Sequence, residues 1–219
     1  MIVAVDGPAA SGKGTLARRI AAAYGLAYLD TGLIYRAVAG KTLAAGADPT
    51  DAAAATAMAE ALEPADLAAD GLRTEAVGEA ASKAAAIPGV RAALLDFQRR
   101  TAATPPGAVL DGRDIGTVVC PDAEVKIFLD ATPEVRAGRR AAELRDRGEP
   151  VIYAAVLRDL VARDERDSGR DVAPLQPAAD AIRLDTDDLD AEHVFRLAAE
   201  AIDRKVDGAR QGRDLTADQ

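Results

Sequence analysis

Five short, largely apolar runs recur along the chain, and an aspartate follows each of them directly. The runs are residues 2–5, 27–29, 108–110, 125–129 and 181–184, and the aspartates are Asp6, Asp30, Asp111, Asp130 and Asp185. Continuous apolar runs are typical of parallel strands that are covered on both faces. Because such sheets bind ligands at the carboxyl ends of their strands, the aspartates mark the edge where chemistry is expected.

The segments between these runs have the length of helices. Alanine accounts for 52 residues, which favours helix and blurs the apolar period, so the helices are placed by their start and stop signals. Helices are predicted at 13–24, from Pro133 to about residue 147, at 151–166 and at 191–206. The alternation predicts an α/β domain with three layers around a five-stranded parallel sheet. The polar segment 207–219 is predicted to be a flexible tail.

Charge and composition argue against several classes of function. The 219 residues include 27 Lys+Arg and 36 Asp+Glu, and the net charge of −9 argues against general nucleic-acid binding. Cys120 is the single cysteine, which excludes a disulfide framework. The first six residues do not read as a signal peptide, and no run of 18 apolar residues suggests a membrane span. We therefore expect a cytoplasmic protein and, since no apolar stripe demands a partner, a monomer.

The choice of polar residues points to a small phosphorylated ligand. Arginine supplies 22 of the 27 basic residues, and its guanidinium group suits bidentate contacts with phosphate. The chain contains no asparagine. This absence removes the Asn-Lys-x-Asp guanine reader of GTPases and the catalytic-loop asparagine of protein kinases.

A glycine-rich loop between the first strand and the first helix is the most specific signal. It has the Gly-x4-Gly-Lys spacing of a Walker A loop, in which backbone N–H groups hold phosphates and the lysine reaches the β- and γ-phosphates. The nine residues predicted to bind the nucleotide are Gly7, Pro8, Ala9, Ala10, Ser11, Gly12, Lys13, Gly14 and Thr15. Gly14 stands where the consensus has Ser or Thr, so Thr15 is the candidate for contact with Mg²⁺, a phosphate or a bridging water. The Gly-Lys-Gly-Thr ending resembles that of nucleoside monophosphate kinases.

Two clusters after later strands are candidates for a second substrate. Thr31 and Arg36 suit a phosphate, although a plain helix cap and a solvated arginine explain them better when they are taken alone. Arg113 and Asp114 lie in a glycine-flanked turn, either as a loop salt bridge or as a phosphate-binding arginine beside a carboxylate. Asp111 suits the role of a Walker B acid that orders water on Mg²⁺.

A third cluster contains nine arginines between residues 136 and 170. Arg163, Arg166 and Arg170 have helical spacing and are predicted to share one helix face. Like charges at this spacing repel unless an anion lies between them. Pairing with neighbouring aspartates on a solvated face is the alternative explanation.

Taken together, these motifs resemble bacterial cytidylate kinases over nearly the whole chain. The matching pieces, in order, are 6–15, 30–36, 73–75, 111–119, 126–130, 163–170 and 173–175. The resemblance implies a P-loop core, a small insertion that binds the nucleoside monophosphate, and a helical lid. We assign the core to 1–39, 87–146 and 171–206, the insertion to 40–86 and the lid to 147–170. The insertion and the lid are expected to move on binding, since closure must exclude water from ATP.

The resemblance implies transfer of the γ-phosphoryl group of MgATP to CMP or dCMP, and roles for single residues. The residues implied near cytosine are Thr31, Arg73 and Asp114. Those implied at phosphates are Arg36, Arg113 and Arg170, and those near the sugar are Arg163 and Asp167. The implied catalytic set is Lys13, Arg113, Arg166 and Arg170, with Arg166 as a lid arginine.

Physical chemistry agrees with these roles. The acceptor is already an ionised phosphate, so catalysis needs positioning and charge neutralisation rather than a strong base. A carboxylate at Asp114 would prefer the amino group of cytosine to the oxygen of uracil. Three alternatives stay open: a kinase that also accepts UMP, a nucleotide-binding module without transfer activity, and a small-metabolite kinase of the shikimate type.

One segment departs from the family pattern. Residues 48–71 are rich in alanine and poor in β-branched side chains, and are predicted to be shortened or helical where the family carries a small antiparallel sheet. Base contacts from this segment are therefore left open.

Overall fold

A computed structural model describes residues 1–214, and for residues 207–214 it describes the backbone alone. Five strands form one parallel sheet, and eight helices surround it within this range. The strands are β1 Ile2–Asp6, β2 Ala27–Asp30, β3 Ala108–Gly112, β4 Val125–Asp130 and β5 Ile182–Asp185. The helices are α1 Lys13–Tyr24, α2 Thr31–Ala44, α3 Ala52–Glu60, α4 Glu75–Ala84, α5 Pro88–Ala103, α6 Pro133–Asp146, α7 Tyr153–Ser168 and α8 Ala191–Asp214.

The strand order is β2-β3-β1-β4-β5, with every neighbouring pair parallel. Chain order reverses at β1, so the loop after β1 opens at the switch point where such sheets bind ligands. The register aligns Asp30 of β2 with Asp111 of β3, and Asp6 of β1 with Gly112. The predicted five-stranded parallel sheet is therefore confirmed.

Two apolar layers cover the two faces of the sheet. Successive side chains of a strand point to opposite faces, so Ala4 of β1 packs on one side while Val3 and Val5 pack on the other. The Ala4 side is covered by α2, α4 and α5 through residues such as Leu94, and the other side by α1 and α8. This arrangement confirms the predicted three layers.

The helix ends follow local signals in the sequence. Gly25 ends α1 with φ 64°, a left-handed conformation that glycine adopts freely, and its N–H donates to the carbonyl of Ala21. Thr132 caps α6, where its hydroxyl accepts a hydrogen bond from the Val135 N–H at 3.4 Å.

Several boundaries differ from the sequence predictions. Helix α7 starts at Tyr153 and ends at Ser168, two residues later than predicted at each end. Its C-terminal end is set by Gly169, which caps the helix. Helix α8 continues to Asp214, through the first eight residues of the predicted tail, and the rest of that tail, 215–219, lies outside the described residues. The predicted core boundary at residue 40 falls inside α2, whereas α6 ends at Asp146, where the lid was predicted to begin.

The alanine-rich segment after α2 is helical. Asp51 caps α3 by accepting hydrogen bonds from the N–H groups of Ala53 and Ala54, and a 3-10 turn follows at Pro64–Ala68. Residues 31–107, all of which are described, contain no strand. Alanine favours helix, and few β-branched residues are available here to support a sheet.

Candidate active site

The glycine-rich loop wraps a space above β1 and leads into α1. Gly7 has φ 148°, and a Cβ there would lie 2.1 Å from the carbonyl oxygen of Leu129, so only glycine fits. Gly12 has φ 94° at the start of α1, and Ala10 also lies in the left-handed region with φ 60°. The turn exposes the N-terminus of a helix, which favours negative charge.

Lys13 and Ser11 place polar groups inside this loop. The Lys13 side chain is buried, and its Nζ donates to the Pro8 carbonyl at 2.9 Å. Burial, and secondarily the positive charge of Arg113, lowers the pKa of Lys13 to about 7. The Ser11 hydroxyl is buried and has no hydrogen-bond partner among the described residues. The Ser11 hydroxyl and the Lys13 ammonium group are donors beside a helix N-terminus, so the loop fits a phosphate.

Gly14 allows Asp111 to approach the loop. A Cβ on Gly14 would lie 3.0 Å from Asp111 Oδ2, which explains why a side chain is absent at the position where the consensus has a hydroxyl. Asp111 is buried, accepts a hydrogen bond from the Tyr28 hydroxyl at 3.2 Å, and has its pKa raised by burial. No cluster of three metal-ligating side chains occurs in the described part of the chain. Mg²⁺ needs only one or two carboxylates beside waters and phosphates, so Asp111 fits it.

Thr15 lies on another side of the loop. With Ser11 and Gly12 it lines a cavity of about 280 Å³ whose far wall includes Leu189 and Val194. Arg139 and Thr186 also line this cavity, and Arg139 donates to the Thr186 hydroxyl at 2.9 Å. The cavity is largely apolar with few polar groups, as expected of a site for a planar base.

The turn after β3 is held at both ends. The Asp6 carboxylate accepts hydrogen bonds from the N–H groups of Ile115 and Gly116, each at 2.8 Å. Arg99 of α5 donates to the carbonyls of Val118 and Val119, each at 3.0 Å. Burial raises the pKa of Asp6 to about 7. The two anchors fix the direction in which Arg113 and Asp114 leave the sheet.

Arg113 and Asp114 do not pair with each other. Arg113 turns toward α7, where its Nε donates to Asp167 Oδ2 at 2.9 Å. Asp114 turns toward α5 and pairs with Arg91, and both side chains are buried. The structure therefore contradicts the salt bridge between Arg113 and Asp114 that the sequence left open.

Asp167 is the centre of an arginine cluster. Its carboxylate accepts hydrogen bonds from Arg113 and Arg170, and Arg163 Nε lies 3.9 Å from Oδ2. Burial alone would raise the pKa of Asp167, but the guanidinium groups of Arg113, Arg170 and Arg163 hold it below its usual range. Burial and then Arg113 lower the pKa of Arg163 to about 9. One carboxylate faces three cations, so the cluster retains capacity for an anion.

One expected feature of this cluster is wrong. Arg170 was predicted on the same helix face as Arg163 and Arg166, but α7 ends at Ser168 and Arg170 follows the helix. Its guanidinium nevertheless reaches Asp167. Arg166 of α7 points instead to α4, where it donates to the Ser82 hydroxyl at 3.2 Å.

Of the remaining predicted residues, Arg36 and Thr31 lie beside these clusters and Arg73 lies apart from them. Arg36 donates to the carbonyls of Leu72 and Thr74 and, with Arg163, lines a cavity of about 580 Å³. Thr31 is buried and donates to the Asp111 carbonyl at 2.7 Å. The structure does not bring Arg73 to Asp114, because the Arg73 side chain is 60% exposed and contacts Asp30 at 3.4 Å.

Sequence reasoning missed two residues of these clusters. Arg91 pairs with Asp114, and Ser82 donates to Asp167 Oδ1 at 3.3 Å while accepting from Arg166. Arg91 shares the buried face of α5 with Leu94, and a charged residue on an apolar helical face is a usable signal. Ser82 sits among alanines on α4 and offers no comparable signal.

An anion-binding loop at the switch point of a parallel sheet, together with a cluster of half-buried arginines around Asp167, defines the P-loop phosphotransferase class. The family model described as "Cytidylate kinase" matches residues 3–204. The chain belongs to the cytidylate kinase family, and it is a nucleoside monophosphate kinase.

Individual relatives agree with this assignment. The cytidylate kinase of Paramagnetospirillum magneticum is 62% identical over 207 residues, covering 93% of this chain and 98% of the relative. That of Rhodopseudomonas palustris strain CGA009 is 58% identical over 211 residues, covering 96% and 100%. A solved structure of an uncharacterized protein from Eubacterium ventriosum is 14% identical with a TM-score of 0.53, covering 93% of this chain and 98% of that one, and it supports the fold alone. Within residues 1–214, none of the helices combines the length and the apolar character that a membrane crossing requires.

Proposed function

We propose that the enzyme transfers the γ-phosphoryl group of MgATP to CMP or dCMP, giving ADP and CDP or dCDP. The observation that carries the choice of base is the buried pair between Asp114 and Arg91. Cytosine presents an amino donor, which the carboxylate accepts, and Arg91 offers donors to the acceptors beside it. Uracil would place an oxygen against the carboxylate, which is repulsive.

On the donor side, the loop 7–15 holds the phosphates of ATP through its N–H groups. Ser11 Oγ and Lys13 Nζ donate to them, and the triphosphate raises the pKa of Lys13 by its negative charge. Adenine occupies the cavity of about 280 Å³ lined by Thr15 and Arg139. Asp111, directly or through water, would hold Mg²⁺, which would supply charge neutralisation at the phosphates. Thr15, which lines the adenine cavity on another side of the loop from Asp111, would contact a phosphate, or would reach the metal only through water.

On the acceptor side, the arginines hold the monophosphate of CMP opposite the donor. Arg36, Arg113 and Arg170 bind phosphate oxygens, and each is at least partly buried, which strengthens the contact. Thr31 contributes on the side of cytosine, and Arg73, which lies away from Asp114 beside Asp30, would join it only through the expected movement of the insertion 40–86. Arg163 and Asp167 contact the sugar, with Ser82 at hydrogen-bond distance from Asp167.

Transfer itself needs no protein base, because the attacking oxygen already carries negative charge. The chain contributes positioning by the two sets of phosphate ligands and charge neutralisation by Lys13, Arg113, Arg166 and Arg170. Arg166 and Arg163 lie on α7, so closure of the lid segment 147–170 completes the site and expels water.

The variant Asp114→Asn tests whether the Asp114 carboxylate recognises the base. We expect the ratio of kcat/KM for CMP to that for UMP to fall by about 5- to 150-fold, the range of about 1–3 kcal/mol for one good base contact. Asp122→Asn, an exposed aspartate eight residues later, is the matched control and should leave the ratio unchanged. An unchanged ratio in Asp114→Asn would remove Asp114 as the base reader, and a wild-type ratio near one would favour a broader pyrimidine kinase.

A further inference from the structure

Arg136 is a buried arginine that the roles above do not use. It lies in the first turn of α6, is 3% exposed, and donates from three nitrogens to three different segments. Its Nε donates to the Ala131 carbonyl at 2.9 Å, its Nη1 to the Ala9 carbonyl at 3.2 Å, and its Nη2 to Asp164 Oδ2 at 2.5 Å. One side chain thus connects the end of β4, the phosphate loop and helix α7.

The contact with Ala9 bears on the phosphate loop directly. In a trans peptide the C=O and the following N–H point in opposite directions. A carbonyl of Ala9 drawn toward Arg136 therefore turns the Ala10 N–H away from α6. Ala10 has φ 60°, an unfavourable value for a residue with a Cβ, so its conformation needs support from neighbouring contacts.

The contact with Asp164 ties this loop to the lid helix. Asp164 precedes the cluster residue Asp167 by one turn of α7, and its other carboxylate oxygen, Oδ1, is buried and lacks a partner within residues 1–214. Ala9, Ala137 and Leu160 form a small apolar cluster between the loop, α6 and α7. The position of α7 is therefore mechanically linked to the Ala9 carbonyl through Arg136.

We propose that Arg136 is a positioning residue for the donor phosphates: it orients the Ala9–Ala10 peptide so that the Ala10 N–H faces the bound triphosphate, and its pair with Asp164 makes this orientation depend on the position of α7. The inference rests on the proposed function for the identity of the donor. It assigns to one buried arginine the coupling between closure of the lid and affinity for ATP.

The test measures MgATP and CMP affinities separately, by calorimetry with each ligand alone. The variants are Arg136→Met, Arg136→Lys, Asp164→Ala and the double variant Arg136→Met with Asp164→Ala. Arg145→Met, an exposed arginine on the same helix, is the matched control and should bind both ligands as the wild type does. Because binding is read without turnover, a wild type that binds MgATP but does not phosphorylate CMP would contradict the proposed function and leave this test intact.

We expect Arg136→Met to raise the Kd for MgATP by about tenfold, the size expected for loss of a charge-assisted hydrogen bond, with the Kd for CMP within about twofold of the wild type. Arg136→Lys should recover part of the loss, and the double variant should be no weaker than Arg136→Met, since both changes act through one contact. An unchanged Kd for MgATP, equal losses for both ligands, or additive losses in the double variant would overturn the proposal. If Arg136→Met melts below the assay temperature, Arg136→Lys and Asp164→Ala decide the case by the same comparison of the two ligands.

Discussion

Replacing Asp167 by asparagine removes the single negative charge at the centre of the arginine cluster. The Asp167 side chain is 1% exposed and contacts Arg113 at 2.9 Å, Arg170, and Arg163 at 3.9 Å. Asparagine keeps the shape and one carbonyl acceptor, but its amide N–H₂ faces guanidinium donors. The variant therefore leaves three buried or half-buried cations without compensation.

The expected loss of stability follows from burial. Removing one partner of a buried ion pair costs about 3–5 kcal/mol, and we take about 3 kcal/mol because asparagine retains one acceptor. For a chain of this size, each 1 kcal/mol lowers Tm by about 2–4 °C, so Asp167→Asn should lower Tm by about 6–12 °C. The Kd for CMP should rise as well, while the Kd for MgATP should change little.

Thermal unfolding at pH 7 measures this loss, with Asp159→Asn as control. Asp159 lies on the same helix and pairs with Arg158 at 3.9 Å, but both side chains are about three-quarters exposed, at 74% and 75%. Such surface pairs contribute about 0–1 kcal/mol, so the control should melt within about 4 °C of the wild type. If Asp167→Asn melts at the same temperature as Asp159→Asn, the Asp167 carboxylate does not stabilise the arginine cluster.

The difference in Tm between the wild type and Asp167→Asn should also depend on pH, in a direction that the pKa of Asp167 fixes. The pKa of Asp167 is held below its unfolded value of about 3.9, so the folded state favours the charged form. Its contribution is complete above about pH 4 and is lost as the pH falls through the lower folded value. The Tm difference between wild type and Asp167→Asn should therefore be full at pH 7 and narrow below about pH 4; a gap that widens with acid would contradict this.

Two further predictions concern the phosphate loop. Gly14→Ala should displace the Asp111 carboxylate, which would lie 3.0 Å from the new Cβ, and should therefore raise the Mg²⁺ concentration needed for half-maximal rate. The control is Gly138→Ala, whose Cβ would meet no described atom within 4 Å. If both variants need the same Mg²⁺ concentration, Asp111 is not the metal ligand. Lys13, with a pKa of about 7, is largely neutral at pH 8, and the triphosphate raises this pKa, so MgATP binding should take up protons at pH 8 and fewer at pH 6. Calorimetry in buffers with different ionisation enthalpies measures the uptake, and none at pH 8 would show that Lys13 is already charged.

The fold could be predicted from the sequence because its strongest signals are local. The apolar runs of the strands, the glycine-rich loop and the Thr132 cap depend on neighbouring residues alone, and the sheet and α1 match them closely. The end of α8 was placed too early, because the polar segment after Val206 contains Gly208 and Gly212, which read as stop signals, whereas the helix continues through both to Asp214.

The site was predicted only in part because its central pairs join distant segments. Asp114 was identified from its motif, but its partner Arg91 lies 23 residues earlier on α5, and only the packed fold brings them together. Ser82 and Asp167 are 85 residues apart. Motif spacing therefore located the carboxylates, whereas the direction in which Arg113 and Asp114 turn depends on the anchors Asp6 and Arg99.

The measurement that tests the central claim most directly is ADP release from MgATP with CMP, dCMP, UMP and AMP supplied separately. Cytosine-specific transfer predicts fast release with CMP and dCMP and little with UMP or AMP, because the proposed base readers Asp114 and Arg91 would match the donor and acceptors of cytosine. Equal release with UMP would mean that this pair does not read the base. Fast release with AMP and none with CMP would contradict the account.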